Sequence, residues 1–282
     1  MSKLNAISHF AGQLGATIAS YLKVALLSRR PTGAPQAAPG AEIVILGNGP
    51  SLRQTMADSM PQLMQRDRLA VNFAANAPEF SQLRQQLYVL ADPHFFHGDS
   101  DPNVQRLWQN IAAVDWPMTL FVPVKERARA TALLQGAKSV TISTYNLTPA
   151  EGFAGAVYPL YRAGLAMPRP RNVLIPGIML ALRAGYKRIL IAGADHTWSK
   201  TLDVDDQNRV ISVQPHFYKD GKGEQKRVNT EYAGYHLHDI LLSLHIAFKA
   251  YHRIAAYAKS LGARILNITP GSMIDAFPRA SL

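Results

Sequence analysis

Six short polar clusters, each standing directly behind an apolar run, hold the side chains whose types and spacing could do chemistry. The first is Gly47-Asn48-Gly49-Pro50-Ser51. Two glycines let a backbone turn sharply and approach a ligand, and Pro50 suits the first turn of a helix. Ser51 can cap that helix, whose leading N–H groups attract phosphate. Leu52 stands where a dinucleotide fingerprint would need its third glycine, and no Walker lysine follows. A tight turn with an ordinary helix cap accounts for the same residues. The other clusters are Asn72, Asp92-Pro93-His94, Thr144-Tyr145-Asn146, Gly193-Ala194-Asp195-His196 and Thr269-Pro270-Gly271-Ser272. Parallel sheets bind ligands beyond the carboxyl ends of their strands, where all six would fall. Any fold also needs turn residues there.

Two further patterns bear on chemistry. His216, His236, His238, His245 and His252 crowd the carboxyl-terminal part of the chain. Neutral imidazole can take a proton from a sugar hydroxyl, and residues seven apart, as 238, 245 and 252 are, share one helical face. Residue type alone does not select among them, and most helical histidines are surface or satisfied groups. Asp203-Val204-Asp205-Asp206 contains the Asp-x-Asp pattern with which many glycosyltransferases hold a divalent ion on a nucleotide diphosphate. It follows no apolar strand, so it reads as a solvated acidic loop and no metal site is expected.

The elements that must position these clusters alternate from residue 42 onward. Apolar runs at 42–46, 68–72, 87–91, 118–122, 139–143, 188–192 and 264–268 read as strands. Helical stretches fall at 51–65, 102–113, 124–135, 173–184 and 242–261. The pattern predicts an α/β, Rossmann-like fold: a mostly parallel twisted sheet with helices on both faces, forming a nucleotide-binding domain over 41–282. The polar stretch 199–235, with Gly221, Gly223 and His216-Phe217-Tyr218, reads as a lid over the strand ends, with disorder as the alternative.

Ahead of this domain, residues 1–30 contain no carboxylate, and Leu4, Ile7, Phe10, Leu14, Ile18 and Leu22 recur as one helical stripe. With Lys3, Lys23, Arg29 and Arg30 around it, the helix suits an anionic bilayer surface. Packing of the stripe on the domain or on a second copy explains it equally well. A membrane span is not expected, because the apolar run 15–27 is short and holds Lys23, and signal-peptide order is lacking. Residues 31–40 are rich in Pro, Gly and Ala and read as a linker.

Composition narrows the partners. A chain of 282 residues with 30 Lys and Arg against 19 Asp and Glu carries a formal charge of +11 and should attract something anionic. The basic residues are scattered and no nucleic-acid motif is present, so nucleic acid is set aside. The absence of cysteine excludes disulfides and thiolate metal sites. A cytoplasmic protein, peripheral on the inner face of the membrane, is expected, with self-assembly left open.

The strand running into Gly47-Asn48-Gly49-Pro50-Ser51-Leu52 is one of three patches on which the chain resembles a known family. The others are Ala184-Gly185-Tyr186-Lys187-Arg188-Ile189 leading to Gly193-Ala194-Asp195, and Ile268-Thr269-Pro270 after the last strand. All three resemble the bacterial lipooligosaccharide sialyltransferases, which use CMP-nonulosonate donors. The resemblance implies an inverting, metal-independent glycosyl transfer, without a cofactor, from a CMP-sugar to a glycan or glycolipid. It implies that Asn48, Asn72 and Asp92 lie around the donor with Gly47, Gly49, Pro50, Ser51, Gly193, Asp195 and Thr269. Asn172 and Val173 stand where that family keeps a hydroxyl pair, and His245 where it keeps its general base. Asp92 replaces an asparagine, and His196-Thr197 replaces aromatic residues, including a tyrosine that supports the departing phosphate. That role would pass to His196, Tyr218, Lys219 or Tyr232. Two of the patches also resemble the 6-hydroxymethylpterin diphosphokinase family, which uses ATP and magnesium. A non-enzymatic membrane or partner adaptor is the third reading.

Overall fold

Seven short strands, buried over most of their residues, form one parallel sheet, as expected where helices cover both faces. The computed structural model describes residues 3–33, 35–212 and 234–282. Its strands are β1 (Glu42–Leu46), β2 (Asp67–Val71), β3 (Leu87–Val89), β4 (Met118–Pro123), β5 (Val140–Tyr145), β6 (Arg188–Ala192) and, last in the chain, β9 (Arg264–Asn267). They lie in the order β5-β4-β3-β2-β1-β6-β9. The chain therefore steps outward from β1 to β5, returns to lay β6 against the other side of β1, and ends on β9. The direction of the chain switches between β1 and β6, and the carboxyl ends of strands at such a switch are where open α/β sheets bind ligands.

The register fixes what meets there. Leu46 pairs with Ala70 on β2 and with Ala192 on β6, while Ile191 pairs with Asn267 on β9. Asn72, the glycine turn, Gly193-Ala194-Asp195-His196 and Thr269 thus leave the sheet side by side. Asp92 follows β3, one strand further out.

Alternation along the strands sorts the core into two layers. On one face Ile43, Ile45, Leu69, Ile189 and Ile191 pack under α7 (Ala154–Arg162), α8 (Leu174–Arg183) and α9 (Leu237–Ser260). On the other, Val44, Leu46, Leu190 and Ala192 pack with α2 (Ser51–Met64). Tyr88, Leu120 and Val122 pack there with α5 (Pro102–Ala112) and α6 (Arg127–Leu133). Two single-turn helices, α3 (Phe80–Leu83) and α4 (His94–His97), fill connections.

Part of the stretch expected as a lid is a separate hairpin, β7 (Leu202–Val204) paired antiparallel with β8 (Val210–Ser212). The Asp-x-Asp pattern starts in β7 at Asp203 and runs into the turn at Asp205. Asp205 accepts the amides of Gln207 and Arg209, which ties the acidic residues into local structure. Tyr218, Lys219, Tyr232 and the rest of 213–233 lie outside the described residues.

At the front of the chain, α1 (Lys3–Leu27) is a single helix. The stretch expected as a linker is held at several points: Thr32 exchanges bonds with Thr144 at the β5 edge, and Ala37 N–H donates to Ala184 O at 2.8 Å. Pairing with 31–33 covers an edge strand that would otherwise present open backbone groups.

Candidate functional site

The glycine turn is shaped first by another loop. Gly47 N–H donates to Ala192 O and Gly49 N–H to Gly193 O, both at 2.8 Å. A Cβ on Gly47 would fall 2.4 Å from Gly193 O, and one on Gly49 would fall 1.8 Å from Asp195 Oδ2. Gly193 itself has φ +64, and its own Cβ would meet Leu52 Cβ at 2.8 Å. Three glycines thus let the β1 and β6 loops interlock at backbone contact distance. The amides of Gly47 and Gly49 are thereby already committed to carbonyls of the β6 loop.

Ser51 is also placed differently from expectation. The residue before α2 is Pro50, which has no side chain to cap it, and the Ser51 hydroxyl donates instead to Asp195 Oδ2 at 2.7 Å. The helix start and the carboxylate are joined across 144 residues of sequence.

The Asp195 loop is gripped from its far side as well. Thr269 Oγ1 accepts Ala194 N–H and donates to Ile191 O, Ser272 donates to Ala194 O at 2.6 Å, and Met273 N–H donates to Asp195 O at 2.9 Å. Asn267 ties Ser272 in turn. Thr269 is 2% exposed with its hydroxyl committed on both sides, so it fixes the loop and does not face a ligand. Held between two loops, Asp195 is pre-organised, as a recognition group should be.

Beside it, His196 adopts φ +52, a left-handed backbone that costs free energy for a bulky residue and persists only where neighbours enforce it. Asn72, across the glycine turn, shares that conformation at φ +51. His196 Nε2 lies 2.6 Å from the hydroxyl of Tyr251, on α9. Tyr251 lies 2.9 Å from Asn172 Oδ1, just ahead of α8, and that oxygen also accepts Leu174 N–H at 3.1 Å.

These bonds determine proton positions. Asn172 Oδ1 can only accept, so Tyr251 donates to it and must itself accept from His196 Nε2–H. Burial pushes the His196 imidazole down to about 3, so it is neutral at physiological pH. Burial raises the Tyr251 phenol, which keeps its proton. The neutral imidazole therefore carries its proton on Nε2 and leaves Nδ1 as an acceptor. That arrangement cannot donate to a departing phosphate, the role considered for His196 from sequence. It can orient or accept a hydroxyl. Trp198 packs at a tilt against the ring, 4.1 Å between centroids, with Phe248 edge-on at 6.3 Å.

Asn172 contributes its amide to this chain, and its Nδ2 is buried without a partner. Val173 offers only its backbone. Asp92 is exposed and its carboxylate accepts His94 N–H at 2.8 Å, an Asx turn opening α4. His245 is exposed on α9. This 24-residue helix is roughly 36 Å long, about twice the span of a strand, and its buried face is concentrated in its later turns. Since α9 leads into the amino end of β9, its earlier turns, with His245, project past the carboxyl rim. Among the described residues, no three His, Asp or Glu side chains gather as around a metal ion.

The site brings together Asn48, Ser51, Asn72, Asn172, Asp195 and His196 on adjacent loops of one rim. Tyr251 is the residue that sequence reasoning missed, since a tyrosine on a helix face reads as core. Asp195 supplies carboxylate acceptors at this rim, one of them already bonded to Ser51, and His196 Nδ1 is a further acceptor. They suit the hydroxyl-rich part of a nucleotide or sugar better than its phosphate.

Fold and rim together define a Rossmann-like α/β domain whose topological switch lies between β1 and β6. No protein-family model matches the chain, and no curated protein does. Among solved structures it is similar to a MAf glycosyltransferase from Magnetospirillum magneticum AMB-1, with a TM-score of 0.51 and 12% identity. That alignment covers 96% of this chain and 38% of the other, so the chain spans well under half the length of that protein, and the likeness is one of fold.

Proposed function

We propose that the protein transfers a glycosyl group from a nucleotide-activated donor, and that the donor is a CMP-linked nonulosonic acid. The observation that carries this reading is the interlocked rim at the β1–β6 switch. There Ser51 and Asp195 form a fixed hydroxyl–carboxylate pair beside a neutral His196. Asp195 would accept hydroxyls of the nucleotide's ribose, and the first turn of α2 would face its phosphate. The positive net charge favours such a donor.

In this reading the acceptor's hydroxyl oxygen forms the new bond to the anomeric carbon. The carbon–phosphate oxygen bond breaks on the opposite face, and CMP leaves with the electron pair. His245, on the overhanging part of α9, takes the proton. His196 orients a sugar hydroxyl through Nδ1. No metal is assigned a role. The acceptor would be a cell-surface glycan or glycolipid. The fold likeness to a glycosyltransferase favours this reading over the ATP- and magnesium-dependent diphosphokinase.

Nucleotide-dependent thermal unfolding with EDTA present tests it. CMP at a hundredfold over its Kd should stabilise the protein by about 2.7 kcal/mol. Stabilisation by ATP and magnesium alone would overturn the CMP assignment.

A further inference from the structure

The apolar stripe of α1 faces away from the protein. Ile7, Phe10, Leu14, Ile18, Leu22 and Leu26 are all exposed, with Ile18 at 55% and Leu26 at 73%. The helix docks instead by its small and polar edge. Glu151 N–H donates to the Ser20 hydroxyl at 2.7 Å, Phe153 N–H donates to Thr17 Oγ1 at 3.0 Å, and the Tyr21 hydroxyl donates to Ala156 O at 3.0 Å. Ser28, just past the helix, bonds Leu165 O at 2.7 Å. Gly152 makes this approach possible. Its φ is +129, and a Cβ there would fall 2.1 Å from Thr17 Oγ1 and 2.7 Å from the Thr17 amide.

One of the origins weighed for the stripe from sequence is thereby narrowed: only Phe10, whose ring lies 5.3 Å from that of Phe153, touches the domain, and the rest of the stripe does not pack on it. A run of exposed aliphatic and aromatic side chains along six turns needs an occupant. Charge indicates which. Residues 1–41 hold no carboxylate, while Lys3, Lys23, Arg29 and Arg30 accompany the stripe, a pattern that complements acidic headgroups.

We propose that α1 lies in the plane of an anionic bilayer, with its stripe in the acyl boundary and its polar edge bonded to the domain. Length and composition alone would let Asn5–Leu27 cross a membrane, at mean hydropathy 1.3 over its most apolar window. The bonds argue against that. Thr17 and Ser20 sit mid-helix, so a spanning α1 would either break them or draw the 151–153 backbone into hydrocarbon, where unsatisfied amides are costly. The docking loop leaves the carboxyl end of β5, so the bilayer-facing helix and the candidate rim share one edge of the sheet. An acceptor anchored in that bilayer would be presented to the rim.

Co-sedimentation of the full chain with vesicles tests this, using phosphatidylcholine alone and phosphatidylcholine mixed with phosphatidylglycerol. Binding is expected to the mixed vesicles only, weakening as salt rises. The double variant Ile18→Ser/Leu22→Ser should lose about tenfold or more in vesicle affinity with an unchanged melting temperature. Leu22→Trp gives a readout that keeps the stripe apolar, and its emission should shift to the blue on mixed vesicles. No binding to mixed vesicles, or binding that the double variant leaves intact, would overturn the proposal. So would an intact-chain dimer that the double variant splits without any vesicle binding, since the stripe would then pair with a second copy. Retention in the membrane after alkaline carbonate extraction would show a span and equally overturn it. None of these readouts uses nucleotide, so they stand or fall separately from the glycosyl-transfer assay.

Discussion

His196 Nε2 and the Tyr251 hydroxyl, 55 residues apart in sequence, meet at 2.6 Å and fix which ring nitrogen of the histidine carries the proton. Tyr251 has 0% exposure and cannot touch a substrate. Its effect on chemistry passes through the imidazole, as a positioning residue.

Tyr251→Phe therefore keeps the shape and removes one oxygen. Both His196 Nε2–H and Asn172 Oδ1 lose a partner, which should cost about 1–3 kcal/mol of stability by chemical denaturation. Nitrogen NMR of the imidazoles supplies the specific readout. One histidine held as the Nε2–H tautomer should become a tautomer mixture in the variant, and an unchanged spectrum would sever the link.

The neutral His196 also makes stability pH-dependent. An unfolded histidine titrates near 6.5, and burial lowers the folded value to about 3. The folded pKa is depressed, so below about 6.5 the unfolded chain binds a proton that the folded chain does not. Stability falls as pH falls from there, and the loss is complete only near the folded value. Between pH 7 and 5 this single group should remove about 2 kcal/mol. His196→Asn, which tolerates the left-handed backbone, should flatten the pH dependence of unfolding by that amount.

Much of the fold was legible from sequence because buried parallel strands are continuous apolar runs. β1 and β6 fall where expected, at 42–46 and 188–192. β2 ends at Val71, a residue earlier than expected, because Asn72 turns left-handed. α7 was missed because Gly155 and Pro159 lie inside it, and the β7–β8 hairpin hid in a polar stretch. At the site, the glycine turn was visible as a turn, but its cause was not. Gly193 and Asp195 press on it from about 145 residues away, and no local pattern encodes such a contact. The Thr269 and Ser272 clamp was invisible for the same reason.

Two glycine substitutions separate close approach from simple backbone freedom. Gly49→Ala would place its Cβ 1.8 Å from Asp195 Oδ2 and 2.7 Å from Gly193 O, and the second neighbour is backbone that cannot swing aside. Overpacking of this kind costs about 1–3 kcal/mol, and nucleotide binding should weaken with it. Gly12→Ala, in α1 with nothing within 4 Å of the new Cβ, should instead stabilise by about 0.5–1 kcal/mol. Equal effects on melting temperature would contradict the interlocked-loop account.

Asp195 and Asp92, both read from sequence as donor-binding, should behave differently. Asp195→Asn keeps the size but weakens the acceptor facing the rim, and CMP affinity should fall about tenfold, the order expected for one charged hydrogen bond. Asp92→Ala removes the Asx turn that opens α4, so about 1 kcal/mol of stability should be lost with affinity unchanged. Calorimetric titration of both variants decides whether the β3 end belongs to the site.

His245 remains the sharpest test of mechanism, because it is exposed and its removal need not disturb the core. If it takes the acceptor's proton, His245→Ala should leave melting temperature and CMP affinity unchanged and lower kcat by at least about a hundredfold, the lower range for a general base. His196→Asn should instead raise KM for the sugar substrate, since a neutral imidazole held by Tyr251 orients more than it titrates. The pH profiles distinguish the two. A neutral imidazole base stops working once it takes up a proton, so the acid limb of the turnover profile should vanish in His245→Ala. Normal turnover in that variant, with the acid limb retained, would transfer the base to another residue.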